Sequence, residues 1–387
     1  MILIKNAEIH TITNGILKNA SILVENGKIK EIGQEITVED QVEVIDSAGK
    51  MVTPGLIDVH THLGVYEEIV GPAGADGNEL TDPATPQVRA LDAINPMERG
   101  FVDAIQAGVT TVQVMPGSGN VIGGEMLVIK TFGNIVDEMI VKSPSALKIA
   151  FGENPKKVYG GKNKMPASRM GLAAVLRENL VKGQNYLRKL ELAEKDPDKA
   201  PERDLKLEIL AKVLKKEIQV RAHAHRADDI VTAIRIAKEF DLDLTIEHCT
   251  EGHKIPEFIK QSGFRVSVGP TMSSRSKIEL GDKGWHTLTT LAEHGVPFSI
   301  TTDHPVVPID YLITATATAV AHGLDEQLAW EALTINAAKH MKVEDRVGSL
   351  EVGKDADLVI WSGHPLYQHQ SQVEATMING QFVYRKS

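Results

Sequence analysis

The chain of 387 residues has a single cysteine, Cys249. One thiol excludes an intrachain disulfide and any cysteine-rich zinc site. Positive charge is also short: 42 Lys and Arg face 52 Asp and Glu, for a formal net charge of −10. That balance argues against a nucleic acid or an anionic membrane as partner, since either needs a basic face. No stretch of about 18 apolar residues is present to span a bilayer. The opening "MILIKNAEIHTITNG" lacks a basic segment followed by an apolar one, so no signal peptide is expected. These absences lead to the expectation of a soluble cytoplasmic protein whose partner is a small molecule. Self-association is left open.

What is present divides into two styles. Both ends read as short strands with turns. "ILIKNAEIHTI", "ASILVENGKIKEIG" and "VEVIDSAGKMV" lie at the start, "DADLVIWSG" and "VEATMINGQFVYRKS" at the close. Asn14-Gly15, Asn26-Gly27 and Asn379-Gly380 are hairpin signals, because both residues tolerate the positive φ that a type I′ turn needs. The middle alternates strand-like runs with helical ones: "GLIDVHTH", "VTTVQVMP", "ALKIAFGE", "IQVRAHAH", "LDLTIEHC", "FRVSVGP" and "PFSITTDHP" are separated by segments such as "ADDIVTAIRIAKEF". Such alternation implies a parallel sheet, and its length suits a (β/α)8 TIM-like barrel. No GxGxxG follows the first strand to favour an open dinucleotide-binding sheet. The expected organisation is an α/β protein. Its barrel spans 52–345, and a small β-sandwich domain is built from 1–51 and 346–387. The charge-rich stretch 170–217 reads as solvated helices broken near Pro197 and Pro201.

The chemistry collects at strand ends. "PGLIDVHTHLG" places His60 and His62 two apart, hence on one face of a strand. Convergent neutral imidazoles suit a transition metal, although two histidines at a strand end can simply meet solvent. The rest of the chain decides. His223 and His225 end "IQVRAHAH", His248 ends "LDLTIEHC" and Asp303 ends "PFSITTDHP". In a barrel those ends meet on one face. Nitrogen and oxygen ligands from four separate strands fit one or two divalent ions. Zn2+ is the first choice, with Mn2+, Fe2+ or Co2+ as alternatives.

"PGLIDVHTH", "IEH", "TTDHP" and the closing "GSLEVGKDADLVIW" resemble the amidohydrolase superfamily from end to end. The likeness is greatest to its imidazolonepropionase-related and prolidase-like members. The resemblance implies metal-dependent hydrolysis of an amide or other C–N bond. It implies that His60, His62 and Asp303 hold the more buried ion, and that His223 and His248 hold a second ion or face the substrate. Lys148 in "ALKIAF" matches the lysine that dihydroorotase- and prolidase-like members carry as a metal-bridging carbamate, with Glu153 as the alternative bridge. Imidazolonepropionases and related deaminases carry an acidic residue soon after the fifth-strand histidine ("HADE"). This chain reads "HAHRADD", so the proton-shuttling glutamate of that mechanism has no counterpart. Within this reading a bound water has its pKa lowered towards about 7. Asp303 serves as the base, and His225 is a candidate donor to the tetrahedral intermediate. A lactonase- or phosphotriesterase-like hydrolase is the alternative enzyme on this scaffold. A dihydropyrimidinase-like assembly protein is the non-catalytic one, disfavoured because such relatives lack the metal ligands retained here.

Other residues take weaker expectations. The long segment 64–96 after the first strand reads as a substrate lid. "MPGSGNVIGGE" could cradle an anion. Arg169 and Arg275 are candidates for binding a substrate carboxylate, Arg169 through its bidentate fork. Lys277 lies near Arg275, and His304 is placed to orient Asp303 or touch substrate. Cys249 reads as a small packed residue.

Overall fold

The computed structural model describes residues 1–38 and 41–386. Eight strands form the barrel: β1 (Leu56–Thr61), β2 (Val109–Val114), β3 (Ile122–Lys130), β4 (Ile140–Ala150), β5 (Gln219–Ala224), β6 (Leu244–His248), β7 (Arg265–Val268) and β8 (Phe298–Ile300). They lie side by side in chain order. The ring closes where Thr61 bridges His304 in parallel and the His62 N–H donates to the His304 carbonyl at 2.8 Å.

One strand departs from the parallel expectation. β3 runs antiparallel to both β2 and β4. The turn Met115–Val121 between β2 and β3 is too short for the crossover of a dozen or more residues that a parallel neighbour requires. From β4 onward every pair is parallel.

Helices cover the outside. Ala227–Glu239 buries Ile230, Ala233, Ile234 and Ala237, the i, i+3, i+4, i+7 stripe of a helix lying on a sheet. The charge-rich stretch forms Arg169–Ala193 and Leu205–Leu214, separated by a short 3-10 turn at Pro197–Lys199. Ser168 caps the first of these by accepting from the Gly171 N–H at 3.1 Å. The apolar side chains of the strands join this outer layer: Val220, Ala222, Leu244 and Ile246 share one core with Ile230, Ile234, Leu288 and Leu291. The alternate positions are polar and bond to one another, as Gln113 does with Ser145 and Arg221 with Glu247. The barrel is therefore apolar outside and polar within, which is what a site at its mouth needs.

The chain ends build a second sheet of eight strands with its own core around Ile4, Ile22, Val52, Leu358 and Met377. Ile2–His10 pairs in parallel with Glu43–Asp46 over its first half and with Met51–Pro54 over its second. Met51–Pro54 pairs on its other side with Leu358–Trp361. Asn26-Gly27 and Asn379-Gly380 both have positive φ at each residue, as type I′ turns demand. Asn14-Gly15 does not. There Asn14 is not left-handed, and a longer loop, with positive φ at Ile12 and Gly15, closes through the Thr11 N–H to the Gly15 carbonyl.

The two units are locked together by charge. The buried Lys130 ammonium at the end of β3 lies 2.5 Å from Asp357 and 3.0 Å from Asp355. Asp355 also takes Lys28 at 2.6 Å and Arg346 at 2.8 Å. Among the described residues no helix is long and apolar enough to cross a membrane.

Candidate metal centre

The first strand delivers two imidazoles whose orientation is fixed from behind. His62 donates from Nδ1 to the Met115 carbonyl at 2.8 Å, and His60 Nδ1 meets the Glu247 carboxylate at 3.0 Å. Each ring therefore turns an Nε2 lone pair towards the barrel mouth. Both Nε2 atoms stop 3.3 Å from Oδ1 of Asp303. Asp303 follows β8 with a φ of 56°, and His248 ends β6 with a φ of 72°. Left-handed backbone at two non-glycine residues is costly, and it turns both side chains into the mouth.

A second group stands beside the first. The ligand atoms of His223, His225 and His248 all lie within 4.8 Å of one another. His248 donates from Nδ1 to the Gly269 carbonyl at 2.8 Å, and His225 Nδ1 pairs with the Thr250 hydroxyl at 2.7 Å. His223 Nε2 is buried with no partner. Its ring centroid is 4.5 Å from that of His248, which in turn is 4.5 Å from that of His60, so the two groups adjoin. The His-x-His spacing of β1 thus recurs on β5. His225, expected to act on an intermediate, stands among donors as a third imidazole.

Lys148 joins the groups. Leu147 and Ile149 pack into the outer core, and Lys148 points inward, with Nζ 3.2 Å from His60 Nε2 and 3.0 Å from Met115 Sδ. Burial pulls its pKa down to about 8. Desolvation also keeps the imidazoles neutral: His223 and His225 lie well below the usual range, and His248 falls to about 3. Burial acts to raise the Asp303 carboxyl, yet the polar groups around it keep it well below the ordinary carboxylate range. A neutral imidazole is the ligand form, and an ionised carboxylate completes the set.

The cavity over these groups measures about 380 Å3 and is walled by Tyr66, Asn78, Ser118, Asn154, Ser276 and Lys277. One functional group escaped the sequence reading. Glu279, in a 3-10 turn after β7, is buried with its carboxylate 3.7 Å from His223 Nε2 and 3.8 Å from His225 Nε2. It also takes Lys277 Nζ at 3.1 Å and the Glu153 N–H at 3.0 Å. Lys277 reaches Asn154 Oδ1 at 3.3 Å.

Several expectations are corrected by placement. Arg169 lines a separate cavity and spends its fork on Asp229, at 2.8 and 2.9 Å. Arg275 turns away to the carbonyls of Gly281 and Lys283, leaving Lys277 as the basic residue of that loop that reaches the cavity. His304 is buried behind the site, where Nδ1 accepts the Ile309 N–H at 3.1 Å. Glu153 opens the helix Glu153–Gly160 and meets the site through its backbone N–H, not as part of the cavity wall. Segment 64–96 contributes Tyr66 and Asn78 to the cavity wall and is hydrogen-bonded to the turn between β2 and β3. Asn78 Oδ1 accepts the Gly119 N–H at 2.9 Å, and Asn120 donates to the Asp82 carbonyl at 2.8 Å.

The amidohydrolase family profile matches residues 51–383. An amidohydrolase from Thermotoga maritima of known structure is 46% identical, with a TM-score of 0.97 and 100% of both chains covered. The imidazolonepropionase of Shewanella oneidensis is 26% identical over 90% of this chain and 88% of that protein. The amidohydrolase tasK of Hapsidospora irregularis is 26% identical over 89% of this chain, which spans only 38% of that longer protein. With the profile match covering most of its length and the barrel-mouth donors in place, the chain belongs to the amidohydrolase family.

Proposed function

We propose that the protein is a metal-dependent hydrolase that cleaves an amide or other C–N bond of a small molecule, using one or two divalent ions, zinc first. The observation that carries this reading is the donor set. His60, His62 and Asp303 form one ligand group and His223, His225 and His248 another, all at the mouth of one barrel. The buried, unpartnered Nε2 of His223 fits a cation better than an empty apolar pocket. When bound, the ion supplies Lewis acidity: it makes water nucleophilic at neutral pH and polarises the scissile carbonyl.

The chain's own residues divide the remaining work. Lys148 stands beside His60 as a buried amine whose charge is disfavoured by burial. Reaction with carbon dioxide converts it to a carbamate, which supplies negative charge where two cations would repel. Its position favours it over Glu153 as the bridge. Asp303 Oδ1, held between His60 and His62, accepts the proton of the attacking water and returns it to the leaving amine. Lys277, Asn154 and Ser118 offer hydrogen bonds to the rest of the substrate. A lysine in that wall favours substrates with a carboxylate, such as N-acyl amino acids or dipeptides.

Elemental analysis and a substrate panel test the proposal. The purified protein is expected to carry zinc or a related ion. It should hydrolyse at least one of the N-acyl amino acids, dipeptides and hydantoins, and leave lactones and phosphotriesters largely untouched. A protein that holds no transition metal and gains no activity with Zn2+, Mn2+ or Co2+ is not a metallohydrolase.

A further inference from the structure

A third group of donors lies outside the catalytic cavity. His253 sits in the 3-10 turn Gly252–Lys254 after β6. Asp282 lies in the segment after β7, and His286 opens the helix His286–Glu293. Their ligand atoms lie within 4.8 Å of one another. His253 Nε2 is 3.3 Å from Asp282 Oδ2 and 3.3 Å from His286 Nε2, and His286 Nε2 is 3.9 Å from Asp282 Oδ1.

The hydrogen bonds behind His253 decide its tautomer. The Thr287 hydroxyl donates its proton to the Thr250 carbonyl at 3.0 Å. Its oxygen can therefore only accept from His253 Nδ1, 2.9 Å away. Nδ1 carries the proton, and in the neutral ring the Nε2 lone pair faces the Asp282 carboxylate and the His286 ring. A lone pair set against a carboxylate repels unless a cation lies between them, either a second proton on the ring or a metal ion. Lys254 Nζ reaches the same Asp282 Oδ2 at 2.8 Å and Glu251 at 2.8 Å, and makes no hydrogen bond to His253.

The spacing is that of a coordination shell. Donors around tetrahedral zinc at about 2.0–2.1 Å stand about 3.3 Å apart. Two of the three separations here equal that edge, as do those of His60 and His62 to Asp303. The backbone also makes room: a Cβ on Gly284 would fall 2.5 Å from His286 Nδ1, so a glycine at this position lets the ring lie where it does.

We propose that His253, Asp282 and His286 form a peripheral transition-metal site, zinc by first choice, with its fourth position open to solvent. Its ion staples the loop after β6 to the loop after β7, the segment that carries Lys277 and Glu279 to the catalytic cavity. Thr250 touches both sites, through its carbonyl to Thr287 and its hydroxyl to His225. The site stands independently of the catalytic reading.

Metal-stripped full-length protein, titrated with Zn2+ alone in a calorimeter and by equilibrium dialysis, tests the proposal. Wild type is expected to bind one more equivalent than His286→Ala, whose half-exposed ring can be removed without opening the core. Asp282→Asn, which keeps the shape, should weaken that equivalent at least about tenfold. His62→Ala should retain it while losing catalytic metal. Zinc should also slow amide exchange across 269–285 in wild type and not in His286→Ala. Equal zinc stoichiometry and affinity in wild type, His286→Ala and Asp282→Asn overturns the site.

Discussion

Glu247 holds His60 from beneath, its carboxylate 3.0 Å from Nδ1 of a ring whose Nε2 faces the catalytic cavity. The same carboxylate takes Arg221 at 3.1 Å, His340 at 3.1 Å and the Ser267 hydroxyl at 2.7 Å. One buried charge thus balances an arginine and orients a candidate metal ligand. Glu247→Gln leaves Arg221 uncompensated, and breaking a buried pair costs about 3–5 kcal/mol. Loss of such support for a ligating imidazole lowers metal affinity about 10–100-fold. Urea unfolding and competition with a chelator should show both effects. Unchanged values in both would mean that Glu247 neither braces the barrel nor orients His60.

Asp303 is expected to separate binding from turnover. Asp303→Asn keeps a ligand oxygen and removes the proton acceptor. Turnover should fall by about 10²–10⁴ while the fold and much of the metal remain. A variant with near wild-type kcat would remove Asp303 from proton transfer.

Lys148→Ala should lose about one metal equivalent and most activity. Short carboxylic acids should restore part of it by occupying the gap left by the side chain. In wild type, metal-stripped protein given Zn2+ at a fixed concentration of dissolved CO2 should be reactivated faster as pH rises through about 8, because the neutral amine is the form that reacts with CO2. The competing outcome is full metal content in Lys148→Ala together with loss in Glu153→Ala, which would hand the bridge to Glu153.

The clustering of strand-end histidines and Asp303 was legible because two physical regularities act together. A strand repeats every second residue, so His60 and His62 share a face, as do His223 and His225. Parallel barrel strands also bring their C-terminal ends to one mouth. Where neither regularity holds, the pattern is silent. Glu279 lies in an aperiodic loop, and it reaches His223 only because the chain folds back there. Arg169 read as a free fork because its partner, Asp229, is 60 positions away. β3 was hidden by Gly123-Gly124. Gly124 has a φ of 134°, and a Cβ there would come within 2.5 Å of the Val88 carbonyl oxygen, so glycine stands in the strand to let another segment pass.

Acid should destabilise the protein through His340. Burial, and Arg221 beside it, pull its folded pKa to about 4 from a model-peptide value of 6.5, against the opposing pull of Glu247. Above 6.5 both folded and unfolded states leave it neutral, and it contributes no pH dependence. Between 6.5 and about 4 the unfolded chain takes up a proton that the folded one refuses, so stability falls with pH, by up to about 1.4 kcal/mol per unit. Unfolding midpoints from pH 7 to 4.5 should show this slope, and His340→Gln should flatten it. An unaltered slope in His340→Gln would assign the acid sensitivity to other groups.

The lock between Lys130 and the pair Asp355 and Asp357 has a consequence for synthesis. The barrel's third strand carries a buried ammonium whose counterions lie 225 and 227 positions later. Until residues near 357 leave the ribosome, that ammonium has no anion, and Met51–Pro54 presents an unpaired edge where Leu358–Trp361 belongs. A nascent chain that has not yet reached these residues leaves the Met51–Pro54 edge open to other strands. A product cut short before Asp355 lacks both counterions of Lys130 and the strand that pairs Met51–Pro54, and is expected to be one for chaperones and proteases to clear.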